Sequence, residues 1–207
     1  MKKELSWQRY VLKDDGFTGF APHMRVLDVG CGHGGLLREL TKTGRLAIGI
    51  DPDRQSLENC RRRGLTILQA RGEHIPLKDA SLDGLTCRGV LMYTDETMAL
   101  REIRRVLTEG AVARLSYHGS GYYLRHFCFY PSWKSRFYGV RTLINTWLYA
   151  TTGRRLPAFL GDTIYQSRRR LARYYRQNGL RLLDETLAKT FLGLPVFIYH
   201  TIQKMTN

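Results

Sequence analysis

Asp28 stands directly before a glycine-rich turn in the run VLDVGCGHGG, which covers residues 26–35. Glycine suits such a turn because the turn needs positive φ angles and because a ligand approaches the backbone closely where no Cβ intervenes. A carboxylate there repels a pyrophosphate and attracts a cation, so Asp28 favours a ligand with an amino or sulfonium group. A second carboxylate, Asp51, follows at about the twenty-residue distance at which an acidic side chain binds ribose hydroxyls. The two residues together predict a cationic ligand that contains adenosine.

Hydrophobic patterning supplies the elements that must position these residues. Apolar runs over residues 25–29 and 46–51 predict buried parallel strands, and Leu36, Leu37 and Leu40 recur at helical spacing between them. The pattern continues with strands at 65–70, 84–87 and 111–117, a helix at 97–107 capped by Asp95, a helix at 168–178 and strands at 180–184 and 195–202. This order predicts an α/β fold with a Rossmann-like, doubly wound, mostly parallel sheet that ends in an antiparallel hairpin.

Over residues 24–117 the chain resembles the class I S-adenosylmethionine-dependent methyltransferases. The resemblance rests on the glycine turn, on Asp51 at the end of the second strand, and on three later motifs: Ile75-Pro76-Leu77, Ser81-Leu82-Asp83 and the stretch 104–110. It implies S-adenosylmethionine as the cofactor and an SN2 transfer of its methyl group. By the same resemblance, the cofactor-binding residues are Asp28, Gly30, Cys31, Gly32, Asp51, Pro52, Arg71, Gly72, Glu73 and Arg88.

The sequence departs from this family at two positions. After the third strand the family usually has an aspartate that accepts a hydrogen bond from the adenine amino group, but Arg71 stands there and cannot accept one. We therefore expect the backbone of Gly72, with Glu73 or His74, to hold the adenine. After the fourth strand the family often has His or Glu near the reacting methyl group, whereas this chain has Tyr93.

An oxygen or carbon acceptor must lose a proton during methyl transfer, and three residues are candidates for taking it. His118 is the first choice because it follows the fifth strand, at the edge of the sheet where ligands bind in doubly wound folds. Tyr93 and His126 are the other two candidates. The alternative for His118 is an ordinary core or surface position.

Residues 119–162 form an insertion longer than a plain sheet connection requires, and we expect a helical cap that sets acceptor specificity. The insertion carries an apolar and aromatic stripe at helical spacing, formed by Trp133, Phe137, Val140, Ile144 and Trp147. The simplest interpretation is that this stripe packs against the sheet. The insertion and the helix after it are also basic, because residues 119–178 contain eleven arginines and lysines but only one acid, Asp162.

A basic, aromatic cap fits an anionic or aromatic small molecule, a lipid at an anionic membrane surface, or structured RNA. Nucleic acid is the less favoured partner, because the chain has no separate RNA-binding module and no lysine-rich tail. We therefore predict a small-molecule or lipid-like acceptor, and peripheral membrane contact stays open. The alternatives are an RNA methyltransferase and a partner subunit that binds S-adenosylmethionine without turning it over. Because Gly30, Gly32 and Gly35 satisfy G-x-G-x-x-G, a nicotinamide oxidoreductase is a third alternative.

The composition limits the number of domains and the class of protein. The 207 residues, 43% of them hydrophobic, suit one globular domain over residues 1–207. The four cysteines form no C-x-x-C pair, so we expect neither a metal site nor a disulfide framework. Charged residues interrupt the amino-terminal segment, and no uncharged run is long enough to cross a bilayer, so we expect a cytoplasmic protein.

Overall fold

A seven-stranded sheet forms the centre of the molecule, in a computed structural model that describes residues 16–129, 133–156 and 163–206. Of residues 133–136 only the backbone is described. The strands are β1 (Arg25–Val29), β2 (Leu46–Asp51), β3 (Ile67–Gln69), β4 (Leu82–Arg88), β5 (Leu107–His118), β6 (Leu180–Phe191) and β7 (Leu194–Lys204). Their order across the sheet is β3-β2-β1-β4-β5-β7-β6.

The predicted fold is confirmed, including the antiparallel hairpin that ends it. Strands β1 to β5 are parallel, and Val29 of β1 lies opposite Ile50 on one side and Cys87 on the other. Strand β7 is antiparallel to both of its neighbours, β5 and β6. The strand order changes direction between β1 and β4, and ligands of doubly wound sheets bind beyond the carboxyl ends of the strands at such a point.

Helices cover both faces of this sheet. They are α1 (Gly35–Lys42), α2 (Arg54–Arg62), α3 (Glu96–Val106), α4 (Ser120–Phe129), α5 (Trp133–Thr152) and α6 (Arg168–Gln177), with a 3₁₀ turn at Leu91–Tyr93. Leu37 of α1 and Leu57 of α2 belong to the apolar core on one face. Leu100 of α3 and Leu171 of α6 belong to the core on the other face. The sheet is therefore buried on both sides, as its apolar strands require.

Two aspartates begin the helices that leave the carboxyl edge of the sheet. Asp95 accepts hydrogen bonds from the N–H groups of Thr97 and Met98, which confirms its predicted role as the cap of α3. Asp53 caps α2 in the same way. The caps fix where these two helices start, so they also fix the ends of the loops that come before them.

Strands β5 and β6 extend further than the sequence pattern indicates. Strand β5 starts at Leu107, directly after α3, and it includes His118, which the pattern places just beyond the strand. Strand β6 continues past Asp184 to Phe191, because its pairing with β7 resumes after an irregularity at Leu182. Pairing with the neighbouring strand sets these ends, and a local pattern does not contain that information.

The predicted cap contains two helices, α4 and α5. Its residues 130–132 and 157–162 lie outside the described residues, and so do the chain's first fifteen residues and Asn207. Within the described part, Gly139 of α5 lies against the backbone of Tyr123 of α4, since a Cβ at Gly139 would be 3.2 Å from the Tyr123 carbonyl oxygen. Close approach at this glycine lets the two helices pack on each other.

The expectation that the stripe on α5 packs against the sheet is wrong. Phe137, Ile144 and Trp147 are more than half exposed. The side chain of Trp133, the first residue of the stripe, lies outside the described part. The buried face of α5 carries polar residues, among them Asn145. Helical spacing grouped these apolar residues on one side correctly, but it did not tell which side faces the protein.

Candidate functional site

Asp28 is buried near the carboxyl end of β1, with 2% of its surface exposed. The hydroxyl of Thr86, on the neighbouring strand β4, donates a hydrogen bond of 2.9 Å to Oδ1 of Asp28. The other oxygen, Oδ2, has no hydrogen-bond partner among the described residues. Burial raises the pKa of the Asp28 carboxyl to about 6, although the Thr86 hydrogen bond, the charge of Arg88 and a weak contact with the backbone N–H of Leu37 lower it. A buried acceptor oxygen without a donor calls for a ligand that supplies one.

The glycine turn after β1 is closed on one side and open on the other. Gly30 and Gly32 have positive φ angles of 70° and 51°. At Gly30 a Cβ would lie 2.2 Å from the side chain of Val90, so the protein itself requires glycine there. At Gly32 a Cβ would meet no atom within 4 Å. The turn therefore leaves room for a ligand in front of Gly32.

Asp51 ends β2 and is fixed to the same turn. Its Oδ2 accepts a hydrogen bond of 2.9 Å from the N–H of Gly32, and its Oδ1 accepts one of 2.9 Å from the N–H of Asp53. Pro52, the next residue, is exposed. Each carboxylate oxygen can accept a further hydrogen bond. Asp51 is thus held in position and keeps acceptor capacity for two hydroxyl groups.

The loop after β3 joins the site to the start of α3. Gly72 is buried against Val29 at the end of β1, whereas Arg71 is exposed. The Oε1 atom of Glu73 accepts a hydrogen bond of 3.0 Å from the backbone N–H of Asp95. Glu73 therefore connects two loops of the protein, and its predicted contact with adenine stays a prediction. Gly72 is the residue of this loop that lies against the strand end.

Arg88 and Tyr93 are the predicted site residues at the end of β4 and in the turn that follows it. Arg88 is the last residue of β4, and its charge favours the ionised form of Asp28. Tyr93 ends the 3₁₀ turn with half of its surface exposed. It is also close enough to Tyr123 of α4 to contribute to the raised pKa of that residue. Tyr93 consequently lies between the sheet edge and the cap.

His118 is part of a group of rings that the cap brings to the end of β5. We name it the tyrosine–histidine cluster, and its members are His118, Tyr122, Tyr123, His126, Tyr138 and Tyr165. His118 stacks on Tyr122 with 3.6 Å between ring centroids, and Tyr122 also contacts His126. Burial, with a smaller effect of His126, lowers the pKa of His118 to about 3. His118 is therefore a neutral imidazole near pH 7, and the structure brings two predicted proton acceptors together.

Cys31 turns its side chain away from the open side of the turn. Its thiol lies in the apolar core next to Gly49, and burial raises its pKa. Its backbone N–H donates a hydrogen bond to the carbonyl oxygen of Ile50. Both polar hydrogens of Cys31 therefore belong to the protein interior. The contribution of this residue to cofactor binding stays a prediction, and it would come from the backbone.

The sequence analysis did not identify Thr86, and for Asp95 it predicted only the role of helix cap. Thr86 is a fully buried hydroxyl in the strand LDGLTCR, and a lone polar residue in an apolar strand is the signal that could have found it. Asp95 caps α3, but it also accepts a hydrogen bond of 3.2 Å from the hydroxyl of Tyr149 of α5. Asp95 thereby joins the cap to the loop that Glu73 holds.

A cavity of about 410 Å³ lies at the opposite, amino-terminal edge of the sheet, where Arg25, Arg45 and Ser81 line it. It is separated from Asp28 and Asp51 by the length of the strands, so it is not part of the candidate site. Within residues 16–129, 133–156 and 163–206, no three His, Cys, Asp or Glu side chains are grouped to hold a metal ion.

Residues 27–115, which contain the glycine turn, Asp51 and β4, match the family described as Methyltransferase domain. This part of the chain is a class I methyltransferase domain. The domain is 37% identical over 93 residues to a fatty-acid O-methyltransferase of Mycolicibacterium smegmatis, covering 42% of this chain and 34% of that protein. It is 32% identical over 90 residues to a demethylmenaquinone methyltransferase of Corynebacterium kroppenstedtii, covering 43% of this chain and 39% of that protein. The chain thus spans little more than a third of the length of these curated relatives.

The methyltransferase domain with its cap is also similar in fold to a solved structure. A S-adenosylmethionine-dependent methyltransferase of Methanosarcina mazei superposes with a TM-score of 0.65 at 18% identity, covering 91% of this chain and 95% of that chain. At this identity the similarity concerns the fold. Because it extends well beyond residues 27–115, it includes the antiparallel hairpin that a sheet of two dinucleotide-binding halves lacks.

The residues of this methyltransferase domain fit S-adenosylmethionine, the cofactor of the family. Asp28 offers a buried oxygen without a donor, which suits the cationic amino acid part of the cofactor. Gly32 has open space in front of it, and Asp51 has acceptor capacity for ribose hydroxyls.

Proposed function

We propose that this chain is a S-adenosylmethionine-dependent methyltransferase that acts on a small, lipid-like acceptor. Bound S-adenosylmethionine supplies a methyl group on a cationic sulfur, which an acceptor atom displaces in line. The observation that carries the proposal is the buried Asp28, whose Oδ2 has no hydrogen-bond partner in the described part of the chain. A protein keeps such a group at a cost to stability, and a charged ligand is the common reason.

In this proposal two aspartates bind the cofactor and the cap binds the acceptor. Asp28 holds the cationic end of the cofactor, and Asp51 accepts hydrogen bonds from its ribose. The cap excludes water from the region between Tyr93 and His118, and it positions the acceptor. Positioning and desolvation provide much of the rate in such a displacement, so no covalent intermediate with the enzyme is required.

The acceptor class is inferred from the tyrosine–histidine cluster. Its members present large apolar ring faces with a few hydroxyl and imidazole groups, as ligand pockets for apolar molecules do. The two relatives are named for a fatty acid and for demethylmenaquinone. Both names support a lipid-like acceptor for this chain, and neither identifies the molecule.

Calorimetric titration with S-adenosylmethionine, S-adenosylhomocysteine and NADH tests the cofactor part of the proposal. We expect both sulfur nucleotides to bind and NADH not to bind. Transfer of a labelled methyl group is then measured with fatty acids, quinols and structured RNA as acceptors. Binding of NADH alone would replace the proposal by redox chemistry, and transfer to RNA alone would replace the lipid-like acceptor.

His118 is the residue that we propose as the proton acceptor. We expect His118→Ala to slow methyl transfer about a hundredfold and to leave cofactor affinity nearly unchanged. Because burial lowers the pKa of His118 to about 3, the residue stays neutral between about pH 5 and pH 8, so its own protonation should not reduce the rate in that range. The same low pKa makes His118 a weaker base than an exposed imidazole. The measurement is the single-turnover rate against pH, with His126→Ala as the matched variant. Equal rates for His118→Ala and the unmodified protein would remove His118 from the reaction.

A further inference from the structure

Helix α5 presents its apolar side to solvent. Five side chains form what we call the outer face of α5, and each is at least 40% exposed: Phe137, Val140, Leu143, Ile144 and Trp147. Trp147, the largest of them, is 67% exposed. Large contiguous apolar patches are rare on proteins that stay alone in water, and they mark surfaces that contact a partner or a membrane.

The inner side of α5 holds the helix in this orientation. Asn145 donates a hydrogen bond of 2.9 Å to the carbonyl oxygen of Thr163 and accepts one of 2.7 Å from the N–H of Leu156. Thr146 accepts a hydrogen bond of 2.6 Å from the N–H of Tyr165. Turning the apolar side inward would leave these donors and acceptors without partners, which is unfavourable for buried polar groups. The outward orientation is therefore a stable property of the fold.

The charge of the insertion that carries the outer face indicates the kind of partner. The insertion 119–162 contains six basic residues and a single acid, Asp162; the basic residues are Arg125, Lys134, Arg136, Arg141, Arg154 and Arg155. Arg154 is exposed, whereas Arg141 lies over the ring of Tyr138 and Arg155 donates a hydrogen bond to the carbonyl oxygen of Thr94. An anionic bilayer attracts a basic segment, and a helix with Trp, Phe, Leu and Ile on one side in such a segment is typical of helices that lie in the membrane interface. Among the described residues, no helix is long and apolar enough to span the membrane instead.

We propose that the outer face of α5 docks on an anionic lipid bilayer. The proposal extends the lipid-like acceptor proposed above, because the opposite side of the same helix faces the site. Tyr138 of α5 belongs to the tyrosine–histidine cluster, and Tyr149 bonds to Asp95 at the start of α3. An acceptor in the bilayer is thus separated from the cluster by about one helix diameter, roughly 10 Å.

Vesicle sedimentation with the full chain tests this docking. The vesicles are phosphatidylcholine alone and phosphatidylcholine mixed with phosphatidylglycerol. We expect binding to the anionic vesicles, and we expect the double variant Ile144→Ser with Trp147→Ser to weaken it at least about tenfold, because two exposed apolar anchors are lost. Leu46→Ser is the matched control, since Leu46 is 62% exposed at the amino-terminal edge of the sheet. This control should bind as the unmodified protein does.

A second readout reports whether α5 itself enters the bilayer. In a protein with Trp7→Phe and Trp133→Phe, Trp147 is the remaining tryptophan of the chain, and its emission should shift to shorter wavelength with anionic vesicles. Absence of vesicle binding, unchanged binding by the double variant, or a dimer that only the double variant loses would each overturn the docking. Cofactor titration in solution is expected to give the same affinity for all variants. It therefore separates a failure of docking from a failure of the proposed function.

Discussion

Asp28→Asn should stabilise the free protein by about 2 to 3 kcal/mol and weaken its affinity for S-adenosylmethionine about 10- to 100-fold. The stability gain follows from the pKa of Asp28, which burial raises from 3.8 to about 6. A carboxyl whose pKa is higher in the folded state makes the folded state less stable once it ionises. The neutral amide removes that cost and keeps an oxygen for the hydrogen bond from Thr86.

The size of the stability gain depends on pH. Above about pH 6 the carboxylate is charged in both states, so the gain from Asp28→Asn is complete there, and it fades as the pH falls toward 4. The affinity of the unmodified protein for the cofactor should fall about tenfold from pH 7 to pH 5, because a proton then occupies the carboxylate. The affinity of the Asp28→Asn variant should not change over that range through this residue.

Denaturant unfolding and calorimetric titration at several pH values measure both effects. Asp83→Asn is the matched control, because Asp83 binds the exposed Arg25 at the amino-terminal edge, and that pairing lowers the pKa of Asp83. The control should lose stability and keep cofactor affinity. A destabilised Asp28→Asn protein, or one with unchanged affinity, would show that Asp28 is a structural residue.

Gly32→Ala should weaken cofactor binding and leave the protein folded. A Cβ at Gly32 meets no protein atom within 4 Å, so the fold loses only about 1 to 2 kcal/mol from the positive φ angle. The same Cβ enters the space that we assign to the cofactor. One extra methyl group in a filled site costs about 1 to 3 kcal/mol, so we expect the affinity for S-adenosylmethionine to fall about 10- to 100-fold.

The control for this substitution lies at the other end of α1. Gly44 also has a positive φ angle, 79°, and a Cβ there would come no closer than 3.9 Å to another residue. Gly44→Ala should therefore lose the same stability and keep its cofactor affinity. Thermal unfolding and calorimetric titration of both variants give the comparison. Equal affinities in the two variants would mean that the ligand does not lie against Gly32.

The succession of strands along the chain and the glycine turn could be predicted from the sequence because each depends on neighbours in the chain. Residues 26–35 place a carboxylate, a turn with four glycines and a helix start within ten positions, and Asp51 follows at the end of an apolar strand. The structure joins these two sites through one hydrogen bond, from the N–H of Gly32 to Asp51. Local spacing was sufficient here, since β1 and β2 are adjacent in the sheet.

Glu73 shows where such local reasoning ends. Its position two residues after Arg71 makes it the natural substitute for a missing adenine acceptor, and that contact stays a prediction. Its Oε1 atom also accepts a hydrogen bond from the N–H of Asp95, which lies 22 residues further along the chain, after β4. A residue's hydrogen-bond partner across the sheet is decided by the topology, and no pattern around Glu73 contains it.

Helix α5 shows most clearly what the local sequence determines and what only the tertiary structure determines. The sequence by itself determined that Phe137, Ile144 and Trp147 share one side of a helix, because that depends only on the helical repeat. Only the tertiary structure decided that this side faces outward, because Asn145 and Thr146 on the other sides find hydrogen-bond partners in residues 163–165. Buried amide and hydroxyl groups must be paired, and the apolar side can be covered by a partner outside the chain. The position of those partners in space therefore set the orientation of the helix.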